Sequence, residues 1–119
     1  MTDDLFELYD LEVSVKGDPG TFACAHRPGP AFRVEGEDLV FEPGARFSMY
    51  ALAALIPLLA AKQRPTHPND WMTTDSLIAC PDPHCGARFE IRRTRRRTFS
   101  HAAVTRVPLP NASEGDSHD

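Results

Sequence analysis

Hydrophobic and polar side chains alternate along several short stretches of the chain. From Tyr9 to Lys16 every second residue is apolar, which is the period of a strand with one buried face. Two short apolar runs, Phe32–Val34 and Leu39–Phe41, flank a polar turn that contains glycine, and they predict a β-hairpin. Strands at Ser76–Cys80 and Ala87–Arg93 predict a second hairpin near the end of the patterned region.

A different pattern lies between the two hairpins. Residues Met49–Ala61 carry no charge and are mostly alanine and leucine, which favour helix. Ser48 is placed to accept a hydrogen bond from a free amide of the first turn. Because the segment has little polar face, we expect the helix up to Lys62 to be the central buried element. Pro57 predicts a kink or a helix in two parts.

The order strand, hairpin, helix, hairpin predicts an α+β fold with a small antiparallel sheet and the helix packed on one face. The chain has 119 residues, of which 41% are hydrophobic, enough for one domain with one core. We assign residues 1–8 to an N-terminal extension and 9–93 to the single α+β domain. Residues 94–119 are assigned to an arginine-rich segment followed by a disordered tail at Pro110–Asp119, because the end of the chain is polar and has no periodicity.

The N-terminus and the cysteines bear on the compartment. Met1–Asp4 is acidic where a secretory signal needs basic residues followed by an apolar stretch, which predicts a cytoplasmic protein. The uncharged helical segment is shorter than the roughly 20 residues needed to cross a bilayer, so no membrane partner is expected. The chain has three cysteines, and in a reducing compartment they favour free thiols or metal ligands over disulfides.

Cysteines and histidines occur in two of the predicted loops. Cys24 and His26 share the first loop, while Cys80 and Cys85 bracket the second. Thiolate sulfur and imidazole nitrogen are ligands that zinc and iron favour, so the four residues predict a tetrahedral site if the loops meet. The alternative is that Cys80 is a small buried hydrophobe and the histidines are solvated. The cofactor prediction is accordingly one zinc or iron ion, or none.

The second loop also carries a catalytic hypothesis. Asp82 stands between two prolines and His84 follows it, so a carboxylate and an imidazole lie on one stiff loop and can move a proton. His26 is a further candidate base, and Ser48 and Trp71 are candidates for a substrate pocket. The alternative is a structural turn, in which the aspartate accepts hydrogen bonds from nearby backbone amides.

Five arginines fall within the six positions Arg92–Arg97, a density that can neutralise phosphates. The chain as a whole has a net charge of -4, and no aromatic residue separates these arginines. The run therefore favours a solvated strand edge, and we expect no nucleic-acid partner. Nucleotide-binding glycine loops and common hydrolase motifs are also absent from the sequence, which leaves a small-molecule ligand as the expected partner.

The chain also carries a set of short motifs, namely His26–Gly29, Phe32, Pro43-Gly44, the helix containing Pro57, Trp71, and Ala79–Pro83 leading to Phe89–Arg93. Together they resemble a family of short, uncharacterised bacterial and archaeal proteins. The Cys-Pro-Asp-Pro element before the closing strand is the most specific of them. The resemblance implies an architecture and no reaction. Family members carry a cysteine at the start of the central helix, where this chain has Ser48. They also carry a cysteine a few residues before the histidine. Cys24 matches this second cysteine loosely, because its distance from His26 along the sequence is different. If the family cysteines bind a metal, the resemblance implies that this chain has lost one ligand and gained Cys85 beside His84. Two alternatives stay open: Cys85 compensates for the lost ligand, or the protein has abandoned the metal and uses the pocket for another purpose.

These features favour a small cytoplasmic enzyme or binding protein that acts on a small organic molecule without an organic cofactor, for example in a biosynthetic pathway. Its chemistry would be acid–base catalysis in a loop-lined pocket. Two alternatives stay open, a metal-binding or redox accessory protein and a protein-interaction module.

Overall fold

Two long antiparallel strands form the centre of the sheet in the computed structural model, which describes residues 3–110. The strands are β1 (Leu5–Lys16), β2 (Gly29–Glu35), β3 (Asp38–Val40), β4 (Leu77–Ala79) and β5 (Arg88–Ser100). They are hydrogen-bonded in the order β3-β2-β1-β5-β4, and every neighbouring pair is antiparallel. The helices are α1 (Met49–Lys62), α2 (Trp71–Thr74) and α3 (His101–Val104), with a 3-10 turn at Pro19–Thr21. The predicted α+β class and the order of its elements are confirmed. Most of the predicted disordered tail lies outside the described residues.

The helix α1 packs on one face of the sheet, but it is not buried around its circumference as predicted. Ala51, Leu55 and Leu59 face the sheet and are buried. They join the alternating apolar side chains of the strands in one core, namely Leu11, Val13, Val15, Phe32, Val34, Phe89 and Ile91. The opposite side of α1 is exposed, with Met49 at 70% and Ile56 at 44% of full exposure. The single sheet covers only one side of α1, so the other side stays exposed although it is also apolar.

The ends and the interior of α1 follow from its sequence. Ser48 is the N-cap, and its hydroxyl accepts a hydrogen bond from the backbone N–H of Ala51 at 3.2 Å, as predicted. The predicted two-part helix is wrong, because α1 runs without interruption through Pro57. Proline has no backbone N–H, so the carbonyl of Ala53 has no hydrogen-bond donor at position 57. Both Pro57 and Ala53 lie on the exposed side of α1. Solvent can satisfy that carbonyl there, so the proline does not break the helix.

The central strands extend further than their apolar alternation predicts. The strand β1 begins at Leu5 instead of Tyr9, and β5 continues to Ser100 instead of ending at Arg93. The two predicted domain boundaries, after residues 8 and 93, therefore fall inside paired strands. Cross-strand contacts stabilise the additional residues of both strands. One of them is the stacking of Phe6 on Phe99, with ring centroids 5.4 Å apart. Such contacts leave no apolar alternation in the sequence.

The arginines of β5 account for most of the remaining cross-strand contacts. Arg97 binds both carboxylate oxygens of Asp10, at 2.9 and 2.7 Å, and Arg95 lies 3.4 Å from the same carboxylate. Arg96 pairs with Glu7, Arg92 pairs with Glu12, and Arg93 donates to the carbonyls of Lys62 and Arg64. Every arginine of the run is thus engaged within the chain, four with acidic residues of β1 and one with carbonyls at the end of α1.

The chain forms the short helix α2 between α1 and β4. The strands of the two predicted hairpins are displaced by one to three residues at their ends, except that β5 ends seven residues later than predicted. None of the helices in the described part of the chain combines the length and the apolar character needed to span a membrane.

Candidate metal centre

Four predicted ligands meet at one point beside the sheet. The Sγ atoms of Cys24, Cys80 and Cys85 and a ring nitrogen of His26 all lie within 4.8 Å of one another. The Sγ atoms of Cys24 and Cys80 are 3.9 Å apart, and Nε2 of His26 is 3.8 Å from Sγ of Cys80. All three cysteines are free thiols. The two loops that the sequence could not relate to each other are therefore adjacent in the fold.

The first loop, residues 17–28, holds two of the ligands. Its start is ordered by Asp18, whose carboxylate accepts a hydrogen bond from the backbone N–H of Gly20 at 3.0 Å. The ring of His26 packs edge-on against Phe89 of β5, with centroids 5.0 Å apart, and lies 6.0 Å from the ring of Phe47. The short Cys-x-His spacing is compatible with one centre, because the half-buried side chains of both ligands reach the same point.

The second loop, residues 80–87, is a compact turn that presents the other two ligands. The backbone N–H of Cys80 donates to the carbonyl of Ala87 at 3.3 Å, and that of Cys85 donates to the carbonyl of Asp82 at 3.0 Å. The carboxylate of Asp82 accepts a hydrogen bond from the backbone N–H of His84 at 2.9 Å. This turn brings Cys80 and Cys85 together although four residues separate them in the sequence.

Gly86 joins the two loops, and sequence reasoning overlooked it. Its backbone N–H donates to the carbonyl of Thr21 in the first loop at 2.8 Å. A Cβ atom at this position would lie 2.1 Å from the hydroxyl oxygen of Thr21, so a side chain cannot be accommodated without moving the first loop. The available signal was a glycine directly after the second cysteine of the loop, where backbone approaches backbone closely.

Two separations between the donor atoms are close to those of a tetrahedral metal site. A zinc ion with bonds of about 2.3 Å to sulfur and about 2.0 to 2.1 Å to nitrogen separates two sulfurs by about 3.8 Å and a sulfur from the nitrogen by about 3.6 Å. The distances of 3.9 Å from Cys24 to Cys80 and 3.8 Å from Cys80 to His26 differ from these values by a few tenths of an ångström. The other pairs of donor atoms lie within 4.8 Å, which exceeds the tetrahedral separation by at most about 1 Å. The cluster could therefore hold a metal ion if the side chains move closer by up to this amount.

The surroundings act differently on the individual ligands. Burial raises the pKa of the Cys24 thiol to about 12, and hydrogen bonds with the thiols of Cys85 and Cys80 contribute to the increase. Burial also opposes ionisation of Cys85, but backbone N–H groups of Ala87 and of the first loop outweigh it and lower the pKa of that thiol to about 7. Burial lowers the pKa of His26, which favours the neutral imidazole that binds metals. Cys24 therefore keeps its proton at neutral pH until a metal displaces it.

A cavity of about 310 Å³ adjoins the ligand cluster. Its lining residues are Cys24, Ser48, Tyr50, Cys80, Pro81 and Asp82. The Oδ2 atom of Asp82 is 3.8 Å from Sγ of Cys24. The predicted pocket residue Ser48 thus lies beside the cluster, together with Tyr50, which sequence reasoning missed because an exposed tyrosine on a helix gives no pattern.

Two other predicted site residues lie elsewhere. The side chain of His84 is exposed, and within residues 3–110 the hydrogen bond between His84 and Asp82 involves the histidine backbone instead of its ring. Trp71 begins α2, is 60% exposed and does not line the cavity beside the cluster. The structure brings together Cys24, His26, Cys80, Cys85, Asp82 and Ser48, and leaves His84 and Trp71 at the surface.

Comparisons of the chain with protein-family models, with curated proteins and with solved structures found no match.

Proposed function

We propose that this protein binds one metal ion, zinc in the first instance, through Cys24, His26, Cys80 and Cys85. The observation that carries the proposal is the convergence of four Cys and His donor atoms within 4.8 Å, from loops that are far apart in the sequence. Iron accepts a similar donor set and is the alternative ion.

The donor set favours a structural role for the ion. Four protein ligands complete a tetrahedron, whereas catalytic zinc sites keep one position for water or substrate. Within the described residues, one backbone–backbone hydrogen bond joins the two loops at the site, from Gly86 to Thr21. An ion that binds Cys24 and His26 from one loop and Cys80 and Cys85 from the other would add a strong cross-link. Its binding free energy would then contribute directly to folding.

The metal content of the purified protein tests this proposal. Protein prepared without chelators and supplied with zinc and iron should contain about one ion per chain by elemental analysis. His26→Ala should weaken zinc affinity by at least about tenfold in competition with a chelator. His84→Ala is the matched control, because it removes an exposed histidine next to Cys85 that is outside the cluster, and it should leave affinity unchanged. Folded protein without metal, or equal affinities of the two variants, would refute the proposal.

A second candidate is a small enzyme or binding protein for an organic molecule, as the sequence suggested. The supporting observation is the cavity of about 310 Å³ beside the cluster. Asp82, Ser48 and Tyr50 line this cavity with polar side chains. Asp82 would act as the acid or base there. Asp82→Asn retains an oxygen that can accept the hydrogen bond from His84 but loses the charge. It should abolish ligand signals in a nuclear magnetic resonance screen of small organic molecules and leave the melting temperature unchanged. Loss of stability with binding intact would identify Asp82 as a structural residue.

We further propose that the protein works in a reducing compartment such as the cytoplasm. The support is chemical, because Cys24, Cys80 and Cys85 must stay reduced to bind a metal as thiolates.

A further inference from the structure

A larger cavity, which His26 also lines, lies between the first loop and the segment that precedes α1. It has a volume of about 610 Å³, within the range of sites for small molecules. Arg27 and Arg46 both contribute to its wall, and Phe47, Pro30 and Val15 supply apolar surface. We call it the arginine cavity.

The two arginines of this cavity differ from the other arginines near the sheet. Those of β5 are engaged with acidic side chains or carbonyls, and Arg33 pairs with Glu35 and Glu42. Within residues 3–110, by contrast, Arg27 and Arg46 take part in no ion pair. The residues that line the cavity include no aspartate or glutamate. In a chain with a net charge of -4, this is a local excess of positive charge without a counter-charge.

We propose that the arginine cavity binds a small organic anion through a carboxylate or phosphate group. Guanidinium groups bind such groups with paired, charge-assisted hydrogen bonds, and two of them in one cavity can hold a single oxyanion from two directions. Phe47 and Pro30 would contact the apolar part of the ligand. The cavity is distinct from the one beside Asp82 and shares only His26 with the ligand cluster. Its arginines are not metal ligands, so binding of an anion is tested separately from binding of zinc.

Titration with phenyl phosphate, with phenol as its neutral counterpart, tests the proposal by nuclear magnetic resonance. The full-length protein is used as purified, and its metal content is measured separately. Phenyl phosphate should shift the backbone amide signals of the residues other than proline within 25–31 and 44–47 until the shifts saturate, and phenol should leave these signals in place. Benzoate in place of phenyl phosphate shows whether the site prefers a carboxylate or a phosphate.

Arginine variants localise the effect. Arg27→Gln and Arg46→Gln should each weaken phenyl phosphate binding by about tenfold or more, the usual result of removing a charged hydrogen-bond partner. Arg64→Gln is the matched control, because it removes the same charge from an exposed arginine outside the cavity. It should bind like the unmodified protein. Absence of saturable shifts, equal shifts with phenol, or equal weakening in all three variants would overturn the proposal.

Discussion

Replacement of Leu55 by alanine tests how α1 packs on the sheet. Leu55 is 0% exposed at the centre of the face of α1 that contacts the sheet. Its truncation removes three carbon atoms from a close-packed core, and comparable Leu→Ala changes cost about 2.7 to 5.0 kcal/mol. A domain of this size has a free energy of unfolding of about 5 to 15 kcal/mol, so the variant loses a large part of its stability. At about 4 to 8 °C per kcal/mol for a domain near this length, a loss of about 3 kcal/mol lowers the melting temperature by about 12 to 24 °C.

Ile56→Ala is the matched control for that measurement. Ile56 is the next residue of α1 but is 44% exposed, and alanine favours helix. The control should change the free energy of unfolding by less than about 1 kcal/mol in the same denaturant titration. Leu55→Asp should prevent folding, because it places a carboxylate without a partner in the core. Equal effects of Leu55→Ala and Ile56→Ala would refute the one-sided packing of α1.

Three further predictions concern the ion pairs and the loops. Hydrogen bonds from Arg97 lower the pKa of Asp10 in the folded state. Asp10 therefore stabilises the fold at pH values above its unfolded pKa of about 3.9. This contribution disappears as the pH falls through the lower pKa of the folded state. The free energy of unfolding of Asp10→Asn should therefore be below that of the unmodified protein at pH 7, and the difference should shrink as the pH falls below about 3.9. A difference that stays constant through this acid titration would contradict the assignment. Gly86→Ala should displace the first loop, lower the melting temperature and weaken zinc binding. Gly20→Ala should be tolerated, because its new Cβ would lie 3.4 Å from the nearest atom. Equal behaviour of the two variants would show that the loops are not in close contact. Zinc binding should release more protons at pH 6 than at pH 8, because Cys85, with a pKa of about 7, still carries a proton at pH 6 and has mostly lost it at pH 8. Calorimetry in buffers of different ionisation enthalpy measures this release. The same release at both pH values would contradict a pKa of about 7.

The elements of the fold could be predicted where local chemistry determines them. Ser48 at the start of an alanine- and leucine-rich segment was sufficient to place α1, because capping and helix propensity act within a few residues. The extent of β5 could not be read in the same way. Its second half is stabilised by arginines that pair with acidic residues of β1, and a run such as Arg95–Arg97 carries no apolar alternation.

The candidate site shows a similar division. The sequence identified all four ligands by residue type, but Cys24 and Cys80 are 56 positions apart and meet only because β1 and β5 pair along their length. The approach of the loops through Gly86 is a tertiary contact without a periodic signal. The exposure of one side of α1 also depends on tertiary structure, since an apolar helix has the same sequence whether one face or both are covered.

X-ray absorption spectroscopy of the zinc-loaded protein tests the metal centre most directly, because it reports the ligand atoms of the ion itself. If Cys24, His26, Cys80 and Cys85 bind one zinc ion, the spectrum should fit three sulfur atoms at about 2.3 Å and one nitrogen at about 2.0 to 2.1 Å. Cys80→Ser should remove one sulfur from this shell or abolish binding. A shell made of oxygen and nitrogen, or one that Cys80→Ser leaves unchanged, would contradict the assignment of these four residues as the metal site.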